Sequence, residues 1–380
     1  MRTKTVNRPT WAEINLDDLA HNFHSVKNFI SEPIKFMAVV KADAYGHGAV
    51  RCAKKLAAAG IDWFGVALPE EGLELRENKI QTPILCLGGF WSGQENFVIE
   101  NNLTPVIFRL DIAEKLNDAA RKKDTIVDVH IKIDTGMGRI GIRFEEANSF
   151  AEQLKRLSNL RIDGIMTHFA AADNLAENNF TNLQIKQFNE AVKIFEAKGF
   201  QPTYRDLANS PGAVAHPNSH GNMVRLGGVL YGLGGDVLPA EIVKPELKPV
   251  LSLHTRIAQL KRVPKGETLG YSRTYTTTKD SIIATVPIGY QDGYSRSLSN
   301  NGRAIINKKY VPIVGRISMD WTILDVTEAP EAKVNDEVIL IGKSGKLHVT
   351  SEELAQKTDT ISYEITCGIN RRVTRIYVGG

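Results

Sequence analysis

Cysteine is scarce in this 380-residue sequence: only Cys52, Cys86 and Cys367 occur. Three is an odd number, and the spacing matches neither a metal knuckle nor a disulfide framework, which points to a reducing compartment. No apolar run approaches the ~20 residues that a membrane-crossing helix needs. Met1-Arg2-Thr3-Lys4 is basic but leads into no apolar segment, so a secretory signal is not expected. Neither sign of charge dominates. The net charge is +4, with the charges interspersed and no basic stripe, which argues against a nucleic-acid partner. Histidines do not cluster at metal-ligand spacing, and no Ser/His/Asp or Cys/His arrangement stands out. Long repeats and low-complexity tracts are lacking too. A cytoplasmic protein with no metal and no membrane partner is the expectation.

What is present is alternation. The length exceeds one ordinary hydrophobic core, so two domains are expected. Short β-like runs lie at 36–41, 63–68, 84–87, 105–108, 127–134, 162–169, 204–209 and 223–226. Helical patterns with apolar residues at three-four spacing separate most of them, clearest over 49–59, 110–121, 144–160 and 181–198. Eight strands alternating with helices predict an α/β fold, an N-terminal (β/α)8 TIM-like barrel, with an open doubly wound sheet as the competitor. After about Leu238 the texture changes. Pro239, Pro245 and Pro249 mark a linker, and strand-like runs with turn signals follow, so a C-terminal mostly-β domain is expected. The boundary is placed between residues 1–242 and 243–380. Residues 11–16 alternate like a half-exposed strand, and Asp17 reads as the N-cap of a helix through Phe29.

Lys41 ends the most apolar short run near the N-terminus, Phe36-Met37-Ala38-Val39-Val40, and precedes the turn Ala42-Asp43-Ala44-Tyr45-Gly46-His47-Gly48. A lysine at a buried strand exit is partly desolvated, which lowers its pKa and suits imine chemistry with an aldehyde. Gly136-Met137-Gly138-Arg139-Ile140-Gly141 matches the dinucleotide fingerprint, but it follows the fifth strand rather than the first, and turn glycines positioning Arg139 are the better reading. Gly342-Lys343-Ser344 looks like the end of a phosphate loop, but Glu337 stands where its first glycine belongs. His47, His216 and His220 read as ordinary loop residues. Lys41, Lys132, Arg139, His168, Asn209-Ser210 and Arg225 all fall at or just past strand C-terminal ends, which converge on one mouth in a barrel. Ser210-Pro211-Gly212 and Gly227-Gly228 add backbone donors where this fold usually binds phosphate. An aldehyde cofactor bearing a phosphate, pyridoxal 5'-phosphate, fits that set.

The run Ala38–Gly48 resembles the cofactor-lysine motif of alanine racemases. The resemblance extends over essentially the whole chain through 11–16, 18–23, 134–141, 209–212, 223–232, 270–275, 287–294 and 315–320, in order. It implies interconversion of L- and D-alanine for peptidoglycan by a head-to-tail homodimer, each barrel mouth facing the partner's β domain, with residues 11–16 joining that domain. It implies that Lys41 bears the cofactor and is one catalytic base, and that Tyr271 of the other subunit is the opposing base. It further implies that Tyr45, Asn209, Ser210, Tyr363 and the backbone near Gly227 and Gly228 hold the phosphate end. Arg225 would meet the pyridine nitrogen, with His168 nearby. Arg139 and the Met319 amide would meet the substrate carboxylate, and Lys132 matches a position often carbamylated. Many members carry Ile at Gly228, so only a backbone contact transfers there. Two other readings stay open: a pyridoxal-phosphate carrier without turnover, and an amino-acid decarboxylase on the same architecture.

Overall fold

The computed structural model describes residues 8–379, and the basic stretch Met1-Arg2-Thr3-Lys4 lies outside them. The described residues fall into two units. One consists of Leu19–Ala44 and Ala49–Leu247; the other takes the described parts of Met1–Asp18, Tyr45–Gly48 and Lys248–Gly380.

The first unit is a closed barrel. Its parallel strands are Lys35–Val39, Trp63–Val66, Ile84–Cys86, Thr104–Ile107, Val127–Asp134, Leu160–Met166, Tyr204–Asp206 and Met223–Leu226. Each pairs with the next, and the eighth returns to the first with Val224 opposite Phe36 and Leu226 opposite Ala38. That last pairing excludes the open sheet. Near-continuous apolar strands are what a sheet covered on both faces requires. Met37, Trp63, Leu85, Val106, Met166 and Met223 pack together inside, with Tyr204 against them. His130 lies fully buried in the same interior, its ring 5.6 Å from Trp63 and 5.8 Å from Tyr204. Burial, then the charge of Arg225, lowers His130 to about 3, so it stays neutral. Gly164 makes room for it: a Cβ there would fall 2.5 Å from the His130 ring.

The helices outside the barrel follow their sequence patterns. Leu110–Lys122 carries Asp111 in its first turn and Arg121 and Lys122 in its last, complementing the helix dipole, and buries Ile112, Ala113, Leu116 and Ala120. The helix expected over 144–160 is shorter. A 3-10 turn, Phe144–Glu146, leads into Ala147–Leu154, and Leu160 already opens the sixth strand. Pro69–Glu77 is a helix that periodicity missed, because its inner face offers only Pro69, Gly72 and Leu75. No helix among the described residues is long and apolar enough to cross a membrane.

The second unit is mostly β. Thr10–Asn15 lies between Leu251–Arg256, antiparallel, and Thr374–Val378, parallel. Gln259–Val263, Ser281–Val286 and Thr322–Asp325 form a separate three-stranded sheet. Arg303–Ile306 and Lys309–Pro312 form a hairpin, because Asn307 and Lys308 both adopt positive φ, as a tight turn between twisted strands demands. The helix Leu16–Ile30 is capped by Asn15, not Asp17: Asn15 Oδ1 accepts the Asp17 and Asp18 N–H groups at 3.0 and 3.2 Å.

Gly164→Ala is expected to over-pack the barrel and destabilise the protein by roughly 1–3 kcal/mol in urea unfolding. Adding His130→Ala should recover much of that loss; strict additivity of the two substitutions would show that the His130 ring is not what confines Gly164.

Candidate active site

Lys41 follows the first barrel strand and opens a turn of the wrong hand. Ala42 (φ 52, ψ 50), Asp43 (φ 53, ψ 46) and Ala44 (φ 53, ψ 50) are left-handed, and Tyr45 continues at φ 55. Left-handed helical backbone costs roughly 1–2 kcal/mol per L-residue, so four in succession need external support. The Ala44 N–H donates to the Val40 carbonyl at 2.8 Å, the Ala42 N–H to Glu71 Oε1 at 2.7 Å, and Asp43 Oδ1 accepts the Ala49 N–H at 2.8 Å.

Arg225, on the eighth strand, is buried and tightly held. Its Nη1 donates to the Asp206 carbonyl at 3.0 Å and to Asp206 Oδ1; Nη2 donates to the Thr167 and Leu207 carbonyls at 2.9 and 3.0 Å. Nη2 also lies 3.4 Å from His168 Nδ1. A guanidinium nitrogen can only donate, so Nδ1 is the acceptor and a neutral His168 carries its proton on Nε2. Burial, then Arg225, Lys132, Arg139 and Lys41, hold His168 well below its usual value. The Arg225 Nε–H donates to nothing among the described residues. Asp206 is fully buried; burial raises its carboxyl to about 6 against the pull of Arg225 and Lys132.

Lys132, on the fifth strand, is pushed down to about 7, first by burial and then by Arg225 and Arg139, with Lys41 adding and Asp206 opposing. The Gly136 and Gly138 N–H groups both donate to Asp134 Oδ1 at 3.0 Å, and the chain continues into the two-residue strand Ile142–Arg143 rather than a helix. These amides serve the turn, and no diphosphate fingerprint exists. Arg139 stands exposed on this turn. Gln184, missed in the sequence, fixes the His168 segment: its Nε2 donates to the His168 carbonyl at 3.1 Å, and its Oε1 accepts the Ala170 N–H at 3.1 Å. Asn209 Oδ1 accepts the Gly212 N–H at 3.1 Å. Ser210 Oγ accepts the Gly227 N–H at 2.8 Å, leaving the Gly228 N–H as the amide with no acceptor among the described residues. His216 and His220 are structural: His216 Nε2 meets the Ala172 carbonyl at 3.1 Å, and His220 meets Glu32 and the Ala213 carbonyl at 3.0 and 2.8 Å.

In the second unit, the Tyr45 and Tyr363 rings lie 5.3 Å apart. Burial, then Tyr363, raises the Tyr45 phenol, so it remains protonated. Tyr271 is 71% exposed and Met319 51%. Tyr271 follows Gly270 (φ 72), and Met319 sits in a turn closed by the Ser318 N–H to the Trp321 carbonyl at 3.0 Å. The Met319 N–H donates to nothing among the described residues. Gly289 allows that turn to approach, since a Cβ would lie 2.2 Å from the Ser318 oxygen.

Asp206 and Glu71 escaped the sequence reading. An acid inside the 204–209 run was the available signal for Asp206; Glu71 had none, since the helix Pro69–Glu77 was itself not expected. The donor set at the barrel strand ends fits pyridoxal phosphate. It offers an amine on Lys41, a donor-only Nε on Arg225, and a hydroxyl and an amide at Ser210 and Gly228.

Residues 14–234 match the family model "Alanine racemase, N-terminal domain", and residues 250–377 match "Alanine racemase, C-terminal domain". The chain belongs to the alanine racemase family. It is 43% identical to the alanine racemase of Halothermothrix orenii over 99% of this chain and all of that one. The alanine racemase structure from Clostridium difficile 630 is similar at TM-score 0.91 and 38% identity, covering 98% of this chain and 97% of that one. The Bartonella henselae alanine racemase with covalently bound pyridoxal phosphate aligns at TM-score 0.88 and 30% identity, covering 97% and 99% of the two chains. As in the rest of this family, pyridoxal phosphate is the cofactor.

The depressed Lys132 makes a prediction about pH. Unfolded, its pKa is about 10.4; folded, it binds its proton less tightly, so the unfolded state holds more protons between about pH 7 and 10 and stability rises with pH there. Below that window the buried ammonium costs on the order of 4–5 kcal/mol. Lys132→Met should therefore gain stability near neutrality and little at high pH, in urea unfolding of cofactor-free protein in carbonate-free buffer. A variant curve parallel to wild type would contradict a neutral Lys132.

Proposed function

We propose that this protein interconverts L-alanine and D-alanine, supplying D-alanine for peptidoglycan in the cytoplasm, as a homodimer with shared sites. The observation that carries the reading is the placement of Lys41 and Arg225 at the ends of adjacent barrel strands, Lys41 on an imposed turn and Arg225 with one donor left over. When bound, pyridoxal phosphate would supply an aldehyde reactive towards amino groups and a ring able to draw charge from the neighbouring carbon.

Racemisation takes a proton from one face of that carbon and returns one to the other, which two bases on opposite faces accomplish. Lys41 Nζ serves one face. Tyr271 of the partner subunit serves the other, and its exposure in the single chain supports this role. Arg225 would offer its Nε–H to the ring nitrogen. Guanidinium has no acceptor and keeps its proton, so it leaves that nitrogen uncharged. His168, neutral beside it, adds no second charge. Ser210, Tyr45, Tyr363, Asn209 and the backbone at Gly227 and Gly228 would hold the phosphate end. Arg139 and the Met319 amide of the partner take the substrate carboxylate. Lys132, with its lowered pKa, is suited to carbamylation and then to pairing with Arg139. In this arrangement a barrel domain within 1–242 carries the cofactor, and a β domain, 243–380 joined by the strand at 11–16, completes the partner's site.

Two measurements test this. Purified protein given L-alanine should form D-alanine until the two are equal, and borohydride should leave a pyridoxyl group on Lys41 in peptide mass spectra; labelling at another lysine would remove Lys41 from its role. Lys41→Ala and Tyr271→Phe chains should each be nearly inactive, yet subunit exchange between them should restore about a quarter of wild-type activity, since about half the dimers are mixed and each has one intact site. No recovery despite demonstrated exchange would mean that each site comes from one chain.

A further inference from the structure

The Ala42 amide belongs to the peptide plane that carries the Lys41 carbonyl. Whatever holds that N–H sets the torsion after Lys41 Cα, and with it the direction of the Lys41 side chain. The holder is Glu71, through Oε1 at 2.7 Å. Its other oxygen, Oε2, accepts the Ala67 and Leu68 N–H groups at 2.7 and 3.2 Å, just after the second barrel strand and at the start of the helix Pro69–Glu77. One half-buried carboxylate thus bridges the C-terminal ends of the first two strands. Its three donors are all backbone N–H groups, so the contacts fix main chain rather than side chains. The turn it holds is left-handed at four residues with Cβ atoms, a conformation local sequence does not supply.

We propose that Glu71 is a positioning residue for Lys41, fixing the Lys41–Ala42 peptide so that the amine meets the cofactor aldehyde. The proposal rests on the reading of Lys41 as the cofactor lysine. Glu71→Gln tests it in the full-length protein. The amide keeps one acceptor oxygen but aims an N–H at a backbone N–H, so one bridge arm is lost. The expected results are a pyridoxal-phosphate dissociation constant raised about ten- to a hundredfold, and a kcat lowered by a similar factor with the KM for alanine within about twofold. The visible band of the bound cofactor should also shift its titration midpoint. Glu70→Gln removes the same charge one residue away, where Glu70 accepts a hydrogen bond from the Gln94 side chain, and should leave all of these within about twofold of wild type. If Glu71→Gln does not fold, Glu71→Gln with Ala44→Gly is measured, since glycine relieves the left-handed strain. Lowered melting temperature with unchanged cofactor affinity, kcat and spectrum would make Glu71 a helix cap and overturn the proposal. Failure of borohydride to mark Lys41 in the wild type would instead overturn the reading beneath it.

Discussion

Closure of the barrel is the constraint on which the rest depends. The eighth strand pairs with the first, Arg225 opposite Met37 and Leu226 opposite Ala38, so residues from the two ends of the barrel sequence become neighbours. Without that pairing, Arg225 and Lys41 would lie on opposite edges of an open sheet. With it, every strand delivers its C-terminal end to one mouth, while Met37, Trp63, Leu85, Val106, Met166 and Met223 fill the interior. The apolar filling excludes water beneath the polar ends, and charges there interact more strongly than they would on a surface.

The consequence is a crowd of cations with little to offset it. Lys41, Lys132, Arg139 and Arg225 all bear on His168, and three of them bear on Lys132. Guanidinium does not give up its proton, so the burden falls on the groups that can: Lys132 moves down towards neutrality and His168 remains uncharged. Asp206 supplies the compensating acid. It is fully buried and joined to Arg225 through both its carboxylate and its carbonyl, so it orients the guanidinium as well as screening it. Removing one member of such a pair strands the other in low dielectric, which is why Asp206 belongs to the site although no substrate need touch it.

Much of this was legible in the sequence, and what was not has identifiable causes. Alternating strands and helices showed in the runs ending at Lys41, Leu68 and Leu87, because strands buried on both faces are almost wholly apolar. Closure was not legible, since it is a pairing between distant segments. Pro69–Glu77 was missed because it buries too few apolar residues to show a period. Asn15 was passed over as a cap in favour of Asp17, because both residue types cap well and only the backbone shows which side chain reaches back. Ala42-Asp43-Ala44-Tyr45 gave no sign of its hand. Those residue types favour an ordinary right-handed turn, and the group that overrides them, Glu71, lies beyond the next strand.

That override explains a local conflict in an otherwise consistent sequence. Elsewhere among the described residues, positive φ falls on glycines such as Gly136 and Gly138 or on one or two residues at a time, as at Asn307 and Lys308 in a hairpin. After Lys41 it is met by alanine, aspartate and tyrosine, whose Cβ atoms resist it. A sequence free to relax this segment could have used glycine, but glycine would also free the chain to sample other conformations. Residues with Cβ atoms, held by the Ala42–Glu71, Ala44–Val40 and Ala49–Asp43 bonds, give a turn with fewer alternatives. The strain is thus offset by one tertiary hydrogen bond, from Ala42 to Glu71, and by local bonds on either side, and the turn keeps one conformation beside the lysine that needs it.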